Sequence, residues 1–144
     1  KTCKRVELTP PRLRFRNLRK LIMATTIRLG EIAHARSGDK GNHANIGVIA
    51  YTEAGNEFLD RWLTEARMAE FLLPLRPREV SRYALPGIKA YNFVATEILD
   101  GGASRSLRID SQGKTLALAV LEMRISPPKN IDEMRKPKTR NPVS

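Results

Sequence analysis

The chain is organised around one stretch, HARSGDKGNHANIG, which runs from His34 to Gly47 between two apolar segments. Three glycines are interspersed there with groups that can bind a ligand or move a proton: His34, Arg36, Ser37, Asp39, Lys40, Asn42, His43 and Asn45. Glycine lets the backbone approach a ligand closely, and successive exposed N–H groups can hold an anion. The spacing matches no phosphate-loop, dinucleotide or zinc pattern. The stretch therefore predicts a site, read as a polar loop, without naming a reaction.

The apolar segments beside this stretch predict two strands. Ile27–His34 alternates apolar and polar residues, and Ile46–Tyr51 is a short apolar run typical of a buried central strand. Thr52–Gly55 then reads as a turn. Asn56 is placed to cap a helix that carries Phe58, Leu59, Trp62 and Leu63 at helical spacing. A second helical segment starts at Thr64 and is ended by Pro74 and Pro77.

The second half of the chain repeats the order of strands followed by a helix. Arg78–Leu85 and Ile88–Leu99 read as hairpin partners on either side of the Pro86-Gly87 turn. A second glycine-rich loop covers residues 100–106, and 107–109 is a short strand or an extended entry. Ser111–Leu121 is helix-like, and 123–125 can close as an edge strand. The order predicts an α+β sandwich, a mostly antiparallel sheet with two helices on one face, the first broken at Thr64.

The net charge of +11 lies in the two ends of the chain. Residues 1–22 carry eight Lys and Arg against one acid, and residues 127–144 carry five against two. Residues 23–126 hold thirteen against twelve. A folded nucleic-acid-binding domain should show its cations on the domain surface, so this distribution argues against that function. We expect one domain over 23–126 and a disordered basic tail over 127–144.

The first 22 residues are excluded from the predicted fold. They are Arg-rich, contain Pro10-Pro11, and precede Met23, which looks like an authentic start. An organellar transit peptide is the alternative, because such peptides are Arg-rich and poor in acids. The prolines and the scarcity of Ser favour upstream or added sequence instead.

Cysteine content and hydropathy narrow the class further. Cys3 is the only cysteine, so no internal disulfide framework or thiolate zinc site can form, and a reducing compartment such as the cytoplasm is expected. No apolar run approaches the length needed to cross a bilayer. We predict neither metal nor cofactor.

The two polar stretches resemble a known family, the ferredoxin-like domain at the carboxyl end of AtuA, the acyclic terpene utilisation protein, which also occurs as a stand-alone protein. The similarity covers roughly residues 27–125. The matching residues are His34–Gly41, Ala44–Gly47, Tyr83 with Leu85-Pro86, Asn92-Phe93, Gly101-Gly102 and Ser104–Leu107.

The resemblance implies a ferredoxin-like α+β fold that works with a larger domain, in the same chain or encoded by a neighbouring gene. It also implies a link to bacterial breakdown of acyclic terpenes and branched acyl-CoA compounds. The fold name describes topology only. A single cysteine cannot hold an iron–sulfur cluster.

Catalytic and binding interpretations of the polar stretch both remain open. His34 and His43 have side chains suited to proton transfer near neutrality, and Asp39 could orient one of them. The catalytic candidates are therefore His34 and Asp39. The candidate ligand- or partner-binding residues are Arg36, Ser37, Gly38, Asp39, Lys40, Gly41, Asn45, Ser104 and Arg105.

Two arrangements of the glycine-rich stretches are consistent with these residues. If both lie at one end of the sheet, Arg36, Lys40 and Arg105 with backbone N–H groups would form an anion pocket. Alternatively, Arg105 pairs with Asp39 as a structural tie.

Two classes of function follow. The first, which we favour, is a non-catalytic binding or assembly module that self-associates or docks on a larger AtuA-type subunit, with an anionic small molecule as a further ligand. The second is a small enzyme or half-site that hydrates or isomerises an acyl-CoA or other carboxylated metabolite.

Overall fold

The computed structural model describes residues 26–107 and 109–137. The strands in these residues are β1 (Ile27–Arg28), β2 (Ala33–Lys40), β3 (His43–Ala50), β4 (Val80–Leu85), β5 (Ala90–Ala95) and β6 (Arg124–Ile125). The helices are α1 (Glu53–Trp62), α2 (Glu65–Leu72), α3 (Leu116–Leu121) and α4 (Ile131–Met134). Short 3-10 turns occupy Leu29–Glu31, Leu73–Leu75 and Pro86–Ile88.

The main sheet has four strands in the order β2-β3-β5-β4, and every neighbouring pair is antiparallel. Two hairpins, β2–β3 and β4–β5, therefore meet along β3 and β5, while β2 and β4 form the edges. A separate two-stranded sheet joins β1 to β6 near the ends of the described chain.

The stretch that we predicted as a polar loop is instead the first hairpin, which is a correction. Lys40 pairs with His43, so the turn consists of Gly41 and Asn42 alone. Gly41 has φ +69°, the position that glycine takes in the type II′ turn of a two-residue hairpin. The sequence of β2 does not show the alternation of large apolar and polar residues that predicts a strand. Its inward positions are Ala33, Ala35, Ser37 and Asp39, none of which is a large apolar residue.

The first helix also begins earlier than predicted. Its N-cap is Thr52, whose hydroxyl oxygen accepts from the Gly55 N–H at 3.0 Å, so Asn56 lies inside α1. The sequence predicts a turn at Gly55 because glycine favours turns. In the structure it packs against Ile32, where an added Cβ would lie 3.5 Å from the carbonyl oxygen. The predicted break at Thr64 is confirmed, since Thr64 caps α2.

The second hairpin is confirmed, and its register joins Tyr83 to Asn92. The helix predicted from Ser111 begins only at Leu116. Neither Leu107 nor Ile109 lies in a strand. The predicted closing strand is present as β6, which pairs with β1 instead of extending the main sheet.

The core lies on one face of the main sheet. Along β3, Ala44, Ile46, Val48 and Ala50 are buried while the residues between them are partly exposed. Leu59 and Leu63 of the α1 segment, Met68 of α2 and Val120 of α3 belong to the same apolar cluster. The architecture is the predicted α+β sandwich, and the helices of residues 26–107 and 109–137 cover one face of its sheet.

The predicted tail is partly ordered. Ile131–Met134 is a short helix, and Met134 is a buried member of the core cluster. The expectation of disorder over 127–144 is therefore incorrect for this segment, because the buried Met134 and the partly buried Ile131 pack against the core. Residues 138–144, and the extension over residues 1–22, lie outside the described residues.

Candidate binding site on the open face of the sheet

The face of the main sheet opposite the core carries four of the nine predicted binding residues, Arg36, Gly38, Lys40 and Asn45. In β2 the residues Arg36, Gly38 and Lys40 alternate with the inward-facing Ser37 and Asp39. The strand pairing places Arg36 beside Gly47, Gly47 beside Asn92, and Asn92 beside Tyr83. The next row begins with Gly38 beside Asn45. Polar groups far apart in sequence are thus brought into two adjacent rows of one sheet.

A cavity of about 480 Å³ lies over these rows and over the β2 edge. Among the described residues, its lining combines cationic, amide and small side chains with one acid: Arg36, Ser37, Gly38, Asp39, Lys40, Asn45, Gly47, Asn92 and Lys114. Three cations against one carboxylate give the cavity a positive charge. Such an arrangement favours a carboxylate or phosphate ligand.

Glycines in the two rows leave the cavity open. A Cβ added to Gly38 would meet no heavy atom within 4 Å, and one added to Gly47 would meet only the Arg36 carbonyl oxygen at 3.8 Å. Beside them the side-chain oxygen of Asn45 is buried and has no hydrogen-bond partner among the described residues. A buried acceptor without a donor is costly, so the Asn45 amide, which lines the cavity, would gain from turning this oxygen toward a donor on a ligand.

Ser37 fixes the loop that supplies Lys114. Its hydroxyl lies 2.6 Å from the Gly113 carbonyl oxygen, to which it donates, and accepts from the Ala117 N–H at 2.9 Å. The hydroxyl is therefore engaged inside the protein and is not free for a ligand. Ser37 joins β2 to the start of α3, and Lys114 is held beside the cavity as a result.

Asp110 holds the other end of this loop. Its carboxylate accepts from the backbone N–H groups of Lys114 at 2.8 Å and Thr115 at 3.0 Å, and from the Thr115 hydroxyl. Burial acts to raise the pKa of Asp110, but these hydrogen bonds together with the Lys114 charge hold that pKa below its usual value. The ionised carboxylate is thus the form that stabilises the loop.

The second glycine-rich segment does lie at the same end of the sheet as the hairpin turn. The Gly101 N–H donates to the Asn42 side-chain oxygen at 2.6 Å, and the Leu99 N–H donates to the Asn42 carbonyl. An added Cβ on Gly102 would lie only 2.3 Å from the Gly41 carbonyl oxygen. Backbone contact between the two turns thus makes the tie that we had considered for Arg105 and Asp39.

Ser104 and Arg105 follow that contact, and neither is among the described residues that line the cavity. Gly41 is outside the lining as well, since it forms the hairpin turn against Gly102. The structure therefore brings together Arg36, Ser37, Gly38, Asp39, Lys40 and Asn45, and it separates the other three predicted binding residues from them.

The candidates for proton transfer do not converge. His34 and Asp39 are five residues apart on β2, so their side chains leave opposite faces of the strand. His34 stacks on Tyr51 with ring centroids 5.6 Å apart. The Nδ1 atom of His43 accepts from the Glu97 N–H at 3.0 Å, which joins the hairpin to the segment after β5.

Three lining residues were absent from the predicted binding set: Gly47, Asn92 and Lys114. Gly47 and Asn92 belong to the motifs that carried the family resemblance, but their meeting depends on the β3–β5 register. Lys114 had no local signal, since it is one lysine in an ordinary loop. Only the Ser37 contact across the fold brings it to the cavity.

Fold and site together define a small α+β domain whose sheet is covered on one side and carries a cationic cavity on the other. The model of the AtuA ferredoxin-like domain family matches residues 27–126. The chain belongs to this family, as the resemblance of its polar stretches indicated. Domains of the family are usually part of larger proteins.

Neither the curated proteins nor the solved structures contain a significant match to this chain. In the described part of the chain, every helix is too short or too polar to cross a bilayer.

Proposed function

We propose that this domain is a non-catalytic accessory domain that works with a larger AtuA-type metabolic subunit, in the cytoplasm, in the breakdown of branched acyl-CoA or terpenoid compounds. Its cationic cavity binds an anionic group, either of that subunit or of a small metabolite. The observation that carries this proposal is the convergence of Arg36, Lys40 and Lys114 around one open cavity.

The composition of the cavity supports binding over catalysis. Its cations lie beside the amides of Asn45 and Asn92, which can donate to or accept from a ligand but do not titrate near neutrality. His34 is not among the described lining residues, and Asp39 is the single carboxylate there. An acid–base reaction within the domain would need a proton carrier that faces the bound group.

The alternative is an enzyme half-site for hydration or isomerisation of an acyl-CoA. The Asn45 and Asn92 amides in the cavity lining are the observation in its favour, because an amide beside a bound anion can position a substrate hydroxyl. In that case the reacting groups would come from the larger subunit, and this domain would supply the anion site.

The test is association of the purified full chain with a purified larger AtuA-type protein, measured by calorimetry. We expect a defined stoichiometry and at least about tenfold weaker binding for Arg36→Ala, since a hydrogen-bonded charge in an interface contributes about 1.5–3 kcal/mol. Arg61→Ala is the matched control, because Arg61 is an exposed cation on α1. Association that is equally strong in both variants, or absent altogether, would contradict the proposal.

Assays of acyl-CoA turnover on the same samples distinguish the accessory role from the alternative enzyme. Turnover of an acyl-CoA by the chain alone would favour a small enzyme, and turnover that requires both proteins would favour the half-site. Turnover by the larger protein alone would favour the accessory role.

A further inference from the structure

The two edges of the main sheet are protected differently. On β4 the backbone N–H of Arg82 donates to the Glu65 carboxylate at 3.0 Å, and the Arg82 guanidinium donates to Asp60 at 2.8 Å. Helices pack against both edge strands, α2 against β4 and α3 against β2, so the difference between the edges lies in these side-chain bonds. The β4 edge is therefore capped by side chains, one of the ways in which proteins block further strand pairing.

On β2 the hairpin register determines which backbone groups face outward. Lys40 and His43 flank a two-residue turn, and Tyr51 donates its N–H to the Ile32 carbonyl. The even-numbered residues of β2 consequently bond to β3, and Ala35, Ser37 and Asp39 direct their N–H and C=O groups away from the sheet. In residues 26–107 and 109–137, no backbone hydrogen bond is made to these outward groups.

The cavity lies along this uncapped edge. Its lining includes four consecutive β2 residues, Ser37 to Lys40, with Arg36 before them and Lys114 across from them. Within the described residues, Arg36, Lys40 and Lys114 make no ion pair. The edge thus offers unpaired backbone groups together with unpaired cations.

We propose that an extended acidic segment of a partner protein adds to the β2 edge as a fifth strand, with carboxylates placed beside Arg36 and Lys40. This inference rests on the proposed accessory function, and it names how the partner binds. Strand addition gives affinity through main-chain hydrogen bonds and specificity through alternate side chains.

The open face sets the pattern of that segment. Arg36 and Lys40 are four residues apart on one face of β2, about 13 Å along the strand. Gly38 between them has no side chain and leaves room for the middle side chain of the partner. The matching partner segment is acidic–x–Thr–x–acidic, in which Thr is a small residue of high strand propensity beside Gly38.

Charge disfavours two other occupants. Antiparallel pairing of two copies centred on Gly38 would place Arg36 of one copy opposite Lys40 of the other, which is repulsive. The ends of this chain are also basic, with eight Lys and Arg in residues 1–22 and five in 127–144. An acidic segment from another protein is the occupant that complements the edge.

The probe is the capped peptide acetyl-Val-Glu-Val-Thr-Val-Glu-Val-amide, labelled for fluorescence polarisation and titrated with the full chain. We expect saturable binding that falls about threefold to fivefold with Arg36→Ala and with Lys40→Ala, and is unchanged in Arg61→Ala. Methylating the peptide backbone nitrogens on the edge that faces β2 should weaken binding at least about tenfold, because several hydrogen bonds are lost. Binding that ignores this methylation would overturn strand addition.

A matched pair of variants tests the edge from the side of the protein. Asp39→Ala removes a carboxylate that repels the peptide and should strengthen binding slightly. Asp39→Pro removes the same carboxylate and also the outward N–H, so it should bind more weakly than Asp39→Ala. Equal affinity of the two variants for the peptide, with both folded by circular dichroism, would contradict the proposal. If Asp39→Pro fails to fold, the affinity of the original chain for the methylated peptide provides the test.

Glutarate, titrated by NMR, separates this inference from the proposed function. One outcome is that glutarate changes the chemical shifts of the original chain but not those of Arg36→Ala, while the peptide does not bind at about 1 mM. That result would support the anion site and overturn strand addition. Absence of both would overturn the two proposals together.

Discussion

At the scale of single residues, Ser37 is a predicted binding residue whose side chain stabilises the fold instead of facing a ligand. It is the one buried polar residue in the described part of the chain, and its hydroxyl satisfies groups from a loop 76 to 80 positions away. The side chain therefore positions Lys114, and only the Ser37 backbone faces the cavity edge.

Replacing Ser37 with Ala should lower the free energy of unfolding by about 1–3 kcal/mol, because the buried Ala117 N–H loses its acceptor. Urea unfolding followed by circular dichroism measures the change. Ser126→Ala is the control at an exposed serine and should leave stability within about 0.5 kcal/mol. Equal effects in the two variants would show that the Ser37 hydroxyl is not needed.

The carboxyl group of Asp110 should make the stability of the fold depend on pH. Its pKa is lower in the folded chain than the ordinary value near 3.9, so its ionised form stabilises the fold above that pH. This stabilisation is lost as the pH falls through the folded-state pKa. Asp110→Asn should lower the melting temperature at pH 7 by about 4–8 °C, for a loss near 1 kcal/mol.

The difference between Asp110→Asn and the original chain should begin to shrink below about pH 4, where the unfolded chain takes up a proton at Asp110, and should disappear as the pH falls through the lower folded-state pKa. Differential scanning calorimetry from pH 7 to pH 3 measures it. Glu57→Gln, at an exposed carboxylate of α1, serves as the comparison and should show no such convergence. A constant difference at all pH values would mean that the charge of Asp110 has no part in its effect.

At the scale of elements, the contact between the hairpin turn and the second glycine-rich segment decides where the loops lie. Gly102 has φ +72° and its α-carbon faces the Gly41 carbonyl, so both conformation and space require glycine there. Asn42 adds hydrogen bonds from Gly101 and Leu99. The turn is therefore held by backbone groups together with the Asn42 side-chain amide.

Gly102→Ala should destabilise the chain by more than about 2 kcal/mol, since the left-handed conformation alone costs an L-residue about 1–2 kcal/mol and the backbone must also shift. Chemical denaturation gives the value. Gly87→Ala is the matched control because an added Cβ there would meet nothing within 4 Å. If the two substitutions were equally mild, the close approach of the turns would be wrong.

At the scale of the whole molecule, the packed domain extends past the residues that match the family. The match ends at residue 126, yet Met134 is 3% exposed and belongs to the core cluster. Arg135 beside it pairs with Glu31 at 3.0 Å and with Asp132 at 2.9 Å. These exposed ion pairs contribute little by themselves, so Met134 is the main anchor of α4.

Met134→Ala should therefore destabilise the full chain by about 2–3 kcal/mol, toward the lower end of the range for buried Met-to-Ala substitutions because the site lies near an end of the described chain. Thermal unfolding measures the change, and Lys129→Ala at an exposed position is the control. A shift no larger than that of the control would mean that α4 does not stabilise the domain.

The sequence by itself determined the fold class and the family, and it predicted a site in the stretch from His34 to Gly47. These depend on local patterns: apolar periodicity, turn residues and a long specific motif. It did not separate a polar loop from a hairpin, because the inward residues of β2 are small and Ser37 is polar. It also placed the start of α1 at Asn56, since Gly55 has a packing role that local propensity does not reveal.

Only the tertiary structure decided which polar groups share a site. Strand register aligned Arg36 with Gly47 and Asn92, and the Ser37 contact brought Lys114 beside them. The same register turned His34 and Asp39 to opposite faces of β2. The physical reason is that pairing across a sheet and packing between distant segments depend on contacts far apart in sequence, which no local pattern encodes.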